Sequence, residues 1–200
     1  MTDAKVTDMD EHRGKTVFDF LHDLLFDMLL KSEGRTTDML ETLMNEKMSV
    51  RVIAQERLEG ERAGRSGAIS GAPYYRRESI LLGERSGFVV SHNIALVCSK
   101  YVPAPMFEAL TAGREGIGKS IGALGLPTSR RMDDCGWRKP DEAVDLFQEP
   151  IKLYFAQKDD RTPFKQYRIH FEAEPGIYML EYFNPNMIRH RLNEVVGKPG

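Results

Sequence analysis

Gly113-Arg114-Glu115-Gly116-Ile117-Gly118-Lys119-Ser120 matches the phosphate-cradling pattern G-x-x-x-x-G-K-[ST] letter for letter. That loop works only where a buried strand delivers the chain into it and a helix starts at its lysine, so that backbone N–H groups converge on phosphate. Here residues 105–112 read as helix, Gly122, Gly125 and Pro127 cut short any helix after Lys119, and no apolar strand ends in an Asp that could hold Mg²⁺. Nucleotide chemistry is not expected. The five histidines, His12, His22, His92, His170 and His190, lack the spacing of a zinc site, and no metal is expected. No Ser sits in a G-x-S-x-G elbow, and Cys98 lies in an apolar run that reads as core. Asp19, Asp23 and Asp27 recur at i, i+4 on one helix face, a spacing that could hold a cation but reads more simply as a solvated face.

Polar residues at inward strand positions say more. In the alternating run Ile177-Tyr178-Met179-Leu180-Glu181-Tyr182-Phe183, Glu181 shares a face with Ile177, Met179 and Phe183. A carboxylate in apolar company must be paired or protonated, at a ligand site or beside a neighbouring Arg at a sheet edge. Arg76 and Arg77 begin a strand that continues Ile80-Leu81-Leu82, so one guanidinium points inward whichever way the sheet faces. Arg suits a carboxylate ligand because its fork offers two parallel N–H donors. Gln55, beside Glu56, is a further polar candidate on a sheet face.

The elements that must position these groups are set by period and punctuation. Val17, Phe18, Leu21, Leu24, Leu25, Met28 and Leu29 form a helical stripe with Thr16 as N-cap and Gly34 beyond the end. A short helix over 37–43 comes next. Period-two alternation predicts strands over 48–58, 75–82 and 88–97, the last two joined through Gly83-Glu84-Arg85-Ser86-Gly87. Residues 59–73 read as a long loop, and such loops in compact domains are disordered or act as lids. Pro103-Ala104-Pro105 opens a helix over 106–112, and 117–124 reads as glycine-broken helix. Residues 128–149 are polar and carry no clear period. Strands are expected over 151–157, 164–172 and 177–183, with Glu174-Pro175-Gly176 as the turn between the last two and the chain fraying into a basic tail from Asn184. The expected organisation is a disordered leader over 1–15, one domain over 16–190 and a frayed tail over 191–200. The fold class is α+β, a largely antiparallel sheet of about six strands with helices packed on it.

Composition narrows the partners. The chain has 200 residues, 28 basic against 30 acidic side chains and two cysteines, Cys98 and Cys135. A chain of this length buries a core without disulfides. A near-zero balance gives no electrostatic case for nucleic acid or an anionic membrane, and no run reaches the ~18 apolar residues of a membrane span. The polar, acidic start lacks the pattern of a signal peptide, and a cytoplasmic protein is expected. Basic residues recur at strand positions that could face a pocket, Arg51, Arg76, Arg77 and Arg168, while acids gather on the leader and first helix. The expected partner is a small carboxylate.

Several segments, taken in order, resemble the chorismate pyruvate-lyase-like family. They are Arg35-Thr36-Thr37-Asp38-Met39-Leu40-Glu41, Val50-Arg51-Val52-Ile53-Ala54-Gln55, Arg76-Arg77-Glu78-Ser79-Ile80-Leu81-Leu82, Ser91-His92-Asn93-Ile94-Ala95, the glycine-rich segment over 110–121, and Tyr178-Met179-Leu180-Glu181-Tyr182-Phe183-Asn184-Pro185. The resemblance spans roughly residues 16–185. It implies a six-stranded antiparallel sheet, a buried pocket under flaps, and a glycine-rich segment, Gly116 and Ile117 included, offering N–H groups to an organic anion. It also implies cofactor-free conversion of chorismate to 4-hydroxybenzoate and pyruvate. That chemistry asks for groups that hold two carboxylates, an acid near the departing ether oxygen and a dry pocket.

Carried over by position, the resemblance gives catalytic roles to Arg77 and Asp134, with Asp133 beside it, and substrate-binding roles to Gln55, Arg76, Gly116, Ile117 and Glu181. Two departures stand out. The family's first strand carries a substrate-binding Arg where this chain has Ala54-Gln55, and its catalytic acid is Glu where this chain has Asp. They leave room for another small carboxylated or polyketide-like substrate, handled by a lyase, dehydratase or cyclase. The same fold also serves as the effector-sensing domain of transcription regulators, though residues 1–43 are too short and acidic for a winged helix. No cofactor is implied by any of these readings.

Overall fold

The computed structural model describes residues 16–58, 74–112, 116–155 and 160–197. The expected leader over 1–15, the loop over 59–73, the first three residues of the glycine-rich string and the last three of the tail lie outside the described residues.

Six strands, β1 (Met48–Leu58), β2 (Tyr74–Gly83), β3 (Val89–Cys98), β4 (Thr128–Arg138), β5 (Thr162–Phe171) and β6 (Glu174–Phe183), make one sheet in the order β1-β2-β3-β6-β5-β4. Every neighbouring pair is antiparallel. The α+β class is as expected. Among the described residues five α-helices join them: α1 (Val17–Lys31), α2 (Thr36–Met44), α3 (Ala104–Thr111), α4 (Ile117–Ala123) and α5 (Met187–Val196).

Thr16 caps α1 in a capping box: its hydroxyl accepts the Asp19 N–H at 3.1 Å while Asp19 Oδ2 accepts the Thr16 N–H at 2.9 Å. Asp19 is thereby used, Asp23 pairs with Arg161 at 2.7 Å, and Asp27 pairs with Lys31 at 2.9 Å. The acidic stripe is taken up by three separate partners, two of them local and one, Arg161, distant in sequence. The expected apolar stripe is corrected in orientation, because α1 buries Phe26, Leu29 and Leu30 and leaves Val17, Leu21, Leu24 and Met28 exposed. Apolar residues flank the acidic stripe on both sides, so period alone does not choose the buried face.

The expected strand over 151–157 is absent from the described residues. Ile151, Leu153 and Phe155 run extended without a ladder, pinned by a single bridge between Val144 and Pro150, and pack on the sheet. The sixth strand is β4, an edge strand whose sequence Thr128-Ser129-Arg130-Arg131-Met132-Asp133-Asp134 hides its alternation behind polar side chains. The β5–β6 turn falls at Glu172-Ala173, with Glu172 at φ 56°, and Glu174-Pro175-Gly176 already belongs to β6. The expected tail forms α5, anchored by buried Met187.

One face of the sheet carries Ile94, Leu96, Phe164, Leu180 and Tyr182 under the 143–155 segment. The other face carries two apolar clusters. One joins Val97, Tyr167, Ile169, Ile177 and Met179 to Met106 and Leu110 of α3 and Ile121 of α4; the other joins Leu81, Val90 and Phe183 to Phe26, Leu29, Leu40, Met44 and Met187 of α1, α2 and α5.

Candidate functional site

Between these two clusters the sheet face turns polar. The strand registers place Ser79, Asn93, Glu181, Lys165 and Cys135 side by side in one row across β2, β3, β6, β5 and β4. Ser79, Asn93, Lys165 and Glu181 are all buried. A row of buried polar groups flanked by apolar packing costs stability unless each group finds a partner.

A cavity of about 570 Å³ opens over this row. Its floor includes Arg77, Ser79, Asn93, Arg130, Tyr167 and Glu181, with Ala95, Ile169 and Met179 as apolar ground between them. Its roof and rim come from the starts of α2 and α4, through Thr36, Thr37, Asp38, Ile117, Gly118 and Lys119. The volume suits a small organic molecule.

Partners divide the floor into satisfied and unsatisfied groups. Glu181 Oε2 accepts from the Thr36 hydroxyl at 3.2 Å and lies 3.8 Å from Lys165 Nζ, which itself donates to Leu29 O at 3.3 Å. Burial pulls the Lys165 ammonium's pKa down, against the attraction of Glu181. Burial, with the Glu181 charge beside it, pushes the Tyr167 hydroxyl far up, so it stays a neutral donor. Arg77 Nη1 donates to Leu110 O at 2.7 Å, and Gln55 Nε2 to Thr111 O at 3.0 Å. Both therefore hold the last carbonyls of α3, which the helix cannot satisfy itself. Two atoms of the lining remain. Among the described residues, Arg130 Nε and Asn93 Oδ1 are buried without a hydrogen-bond partner, and both residues line the cavity.

Of the residues singled out by sequence, the fold brings Arg77, Gly116, Ile117 and Glu181 to this cavity. Gly116 is needed for close approach: a Cβ there would lie 2.8 Å from Val50 Cγ2, so α4 can start directly against β1. The phosphate-loop context is missing, since α3 and not a strand precedes the segment and every strand pair is antiparallel. Gln55 and Arg76 are not among the cavity's lining residues. Arg76 faces the other side of the sheet, 3.1 Å from Glu78 and 3.6 Å from Asp145. Asp134 lies just after a bulge at Met132/Asp134, its side chain 59% exposed and 3.8 Å from Arg138, outside the cavity lining. Asp133 is held by Arg168 Nε at 2.9 Å, which also uses Arg168, and Arg51 is exposed. Sequence reasoning misses Asn93, Lys165 and Arg130 as candidates. Each is legible only after pairing, when register lines it up with Glu181 or with the cavity floor.

A second groove of about 430 Å³ lies between Phe18, His22, Trp137, Arg161 and Arg189. Two of its cationic or imidazole groups are held within the protein: His22 Nε2 by Pro185 O at 3.0 Å and Arg161 by Asp23, with Arg161 over the Trp137 ring at 4.2 Å. Among the described residues no group of three or more His, Cys, Asp or Glu could hold a metal ion, and no helix is long and apolar enough to cross a membrane.

No family model and no curated protein sequence matches the chain. Solved structures similar to it include the effector domain of PhnF from Mycobacterium smegmatis, at 17% identity over 76% of this chain and 90% of that one, with a TM-score of 0.46. Another is a GntR-family transcriptional regulator from Bacillus cereus, at 12% identity over 70% and 92% with a TM-score of 0.44. A third is the ligand-binding domain of a GntR-family regulator from Bordetella bronchiseptica, at 13% over 69% and 84% with a TM-score of 0.42. At these identities and scores the likeness is one of outline and assigns neither family nor ligand.

Proposed function

We propose that this domain binds a small organic acid in the cavity above the polar row. The observation that carries the reading is Arg130: a guanidinium lining a cavity of about 570 Å³, with Nε buried and, among the described residues, unpartnered. An arginine so placed gains most from a carboxylate, whose two oxygens match its N–H fork. Lys119 at the rim adds a second positive group on the approach. Thermal-shift and calorimetric titration against a set of small carboxylates tests it. The expected result is saturable one-to-one binding lost in Arg130→Met, and binding unaffected by that change would overturn it.

The finer reading, cofactor-free elimination of pyruvate from chorismate, is supported by the convergence of Arg77, Gly116, Ile117 and Glu181 on one cavity. The acid assigned to it by position, Asp134, is outside that lining, and the carboxylate inside is Glu181. Non-catalytic binding therefore ranks first. Incubation with chorismate separates the two: pyruvate and 4-hydroxybenzoate formed by the wild type and lost in Glu181→Gln establish the lyase, whereas binding without turnover leaves a receptor domain.

A further inference from the structure

Helix α1 buries Phe26, Leu29 and Leu30 and turns a second apolar stripe to solvent. Val17, Phe20, Leu21, Leu24 and Met28 are each 44–78% exposed. At about 3.6 residues per turn, Val17, Leu21, Leu24 and Met28 fall within one narrow arc on the side of the helix opposite Phe26. Among the described residues the cavity is lined from other elements, so this stripe is a separate surface.

Side chains of this size at these exposures leave on the order of 500 Å² of apolar surface in water, the upper end for a protein that works as a single copy. The longer stretches outside the described residues offer little to cover it. Residues 1–15 hold Met1, Val6 and Met9 as their only large apolar side chains, and residues 59–73 hold Ile69. A lipid surface is disfavoured by charge, since α1 carries Asp19, Asp23 and Asp27 against Lys31 as its one basic residue besides His22.

The spacing points to a partner helix of the same sequence. Steps of four, three and four residues through Val17, Leu21, Leu24 and Met28 are those of a two-helix seam. They are also symmetric about the midpoint between His22 and Asp23. Turned antiparallel about a two-fold axis there, each copy sets Val17 against Met28 of the other and Leu21 against Leu24, so the same four residues supply both sides. The Asp27–Lys31 pair falls at each end of the seam, where it stays in water, and Asp27 approaches the first turn of the opposing helix, the positive end of its dipole. Two copies joined in this way bury about 1,000 Å² in total, the size at which a specific interface begins.

We infer that two copies of this chain pair through an antiparallel α1–α1 seam of Val17, Leu21, Leu24 and Met28, with Phe20 beside it. Sedimentation velocity on the full chain over about 1–200 µM tests the pairing, because an interface of this size moves from monomer to dimer by mass action. The wild type should make that shift. Leu21→Glu and Leu24→Glu should each weaken association at least about tenfold with circular dichroism unchanged, since both positions are exposed in the single chain.

Oxidative cross-linking reads the geometry. Val17→Cys/Met28→Cys should form covalent dimers, while either single variant should not, because like positions of the two copies lie about 16 Å apart along the seam. The wild type, which keeps Cys98 and Cys135, is the blank. A wild type that stays monomeric throughout, or a dimer indifferent to both Leu→Glu changes, overturns the inference. Covalent dimers of Val17→Cys alone would mean parallel pairing and overturn the two-fold seam.

Discussion

The two faces of the sheet each bury a cluster of charged groups, and the clusters are finished differently. On the face under the 143–155 segment, Arg76 lies 3.1 Å from Glu78 and 3.6 Å from Asp145, Glu78 bonds His92 Nε2 at 2.9 Å, and Asp145 accepts the N–H groups of Phe147 and Glu149. Cations and carboxylates meet within the protein. On the cavity face Arg130 has a buried Nε with no partner among the described residues, and an open volume lies before it. Arg76 Nε and His92 Nδ1 also lack partners among the described residues, but neither residue lines the cavity or the side groove. Arg76 and Arg77 are consecutive and identical in type. Strand alternation sends one into a structural network and the other to the cavity wall, so burial of charge alone does not mark a site; burial of charge beside accessible volume does.

That contrast can be broken at its strongest point first. Arg76→Met leaves Glu78 and Asp145 without their cation and should cost about 3 kcal/mol in urea unfolding, the scale for removing one partner of a buried pair, while carboxylate affinity stays unchanged. A comparable loss of affinity would merge the two faces into one site. Tyr182→Phe removes a hydroxyl that donates to Val144 O at 2.8 Å and accepts from Val144 N at 3.0 Å and from Arg138. It should destabilise by about 1–2 kcal/mol by loosening the cover over the network, again with binding intact.

Acid pH should act on the same face. Burial holds the His92 pKa below its ordinary 6.5, with Glu78 pulling upward and Arg76 downward. The unfolded chain therefore takes up the His92 proton first as pH falls through 6.5, so stability present above that pH is lost below it. Melting temperature should drop between about pH 7.5 and 5.5 in the wild type and drop less in His92→Gln; identical slopes would remove His92 from the account. The smallest stability effect belongs to the cavity face. Arg130→Met takes away a guanidinium whose Nε holds no partner among the described residues and should shift unfolding by less than about 0.5 kcal/mol.

Much of this frame is legible in the residues. The cap at Thr16, the β2–β3 hairpin and the inward place of Glu181 come from local pattern, because each depends on neighbours within a few positions. The features that escape depend on pairing. β4 is hidden because an edge strand with one solvated side need not alternate cleanly, and Ile151, Leu153 and Phe155 imitate a strand because an extended cover also buries every second residue. Positions after Met132 shift face at a bulge that no single-strand pattern announces, which carries Asp134 to an exposed position and leaves Cys135 in register with Lys165. Asn93, Lys165 and Arg130 belong to different strands, and their places beside Glu181 or on the cavity floor exist only once three registers are fixed.

The central claim is the proposal that Arg130, which has no carboxylate partner among the described residues, receives one from a ligand. Titration calorimetry of benzoates into wild-type, Arg130→Met and Arg76→Met protein tests it most directly. The account predicts one-to-one binding in the wild type and in Arg76→Met, and a loss of at least about tenfold in Arg130→Met with the fold unchanged. Equal affinity in wild-type and Arg130→Met protein would contradict it.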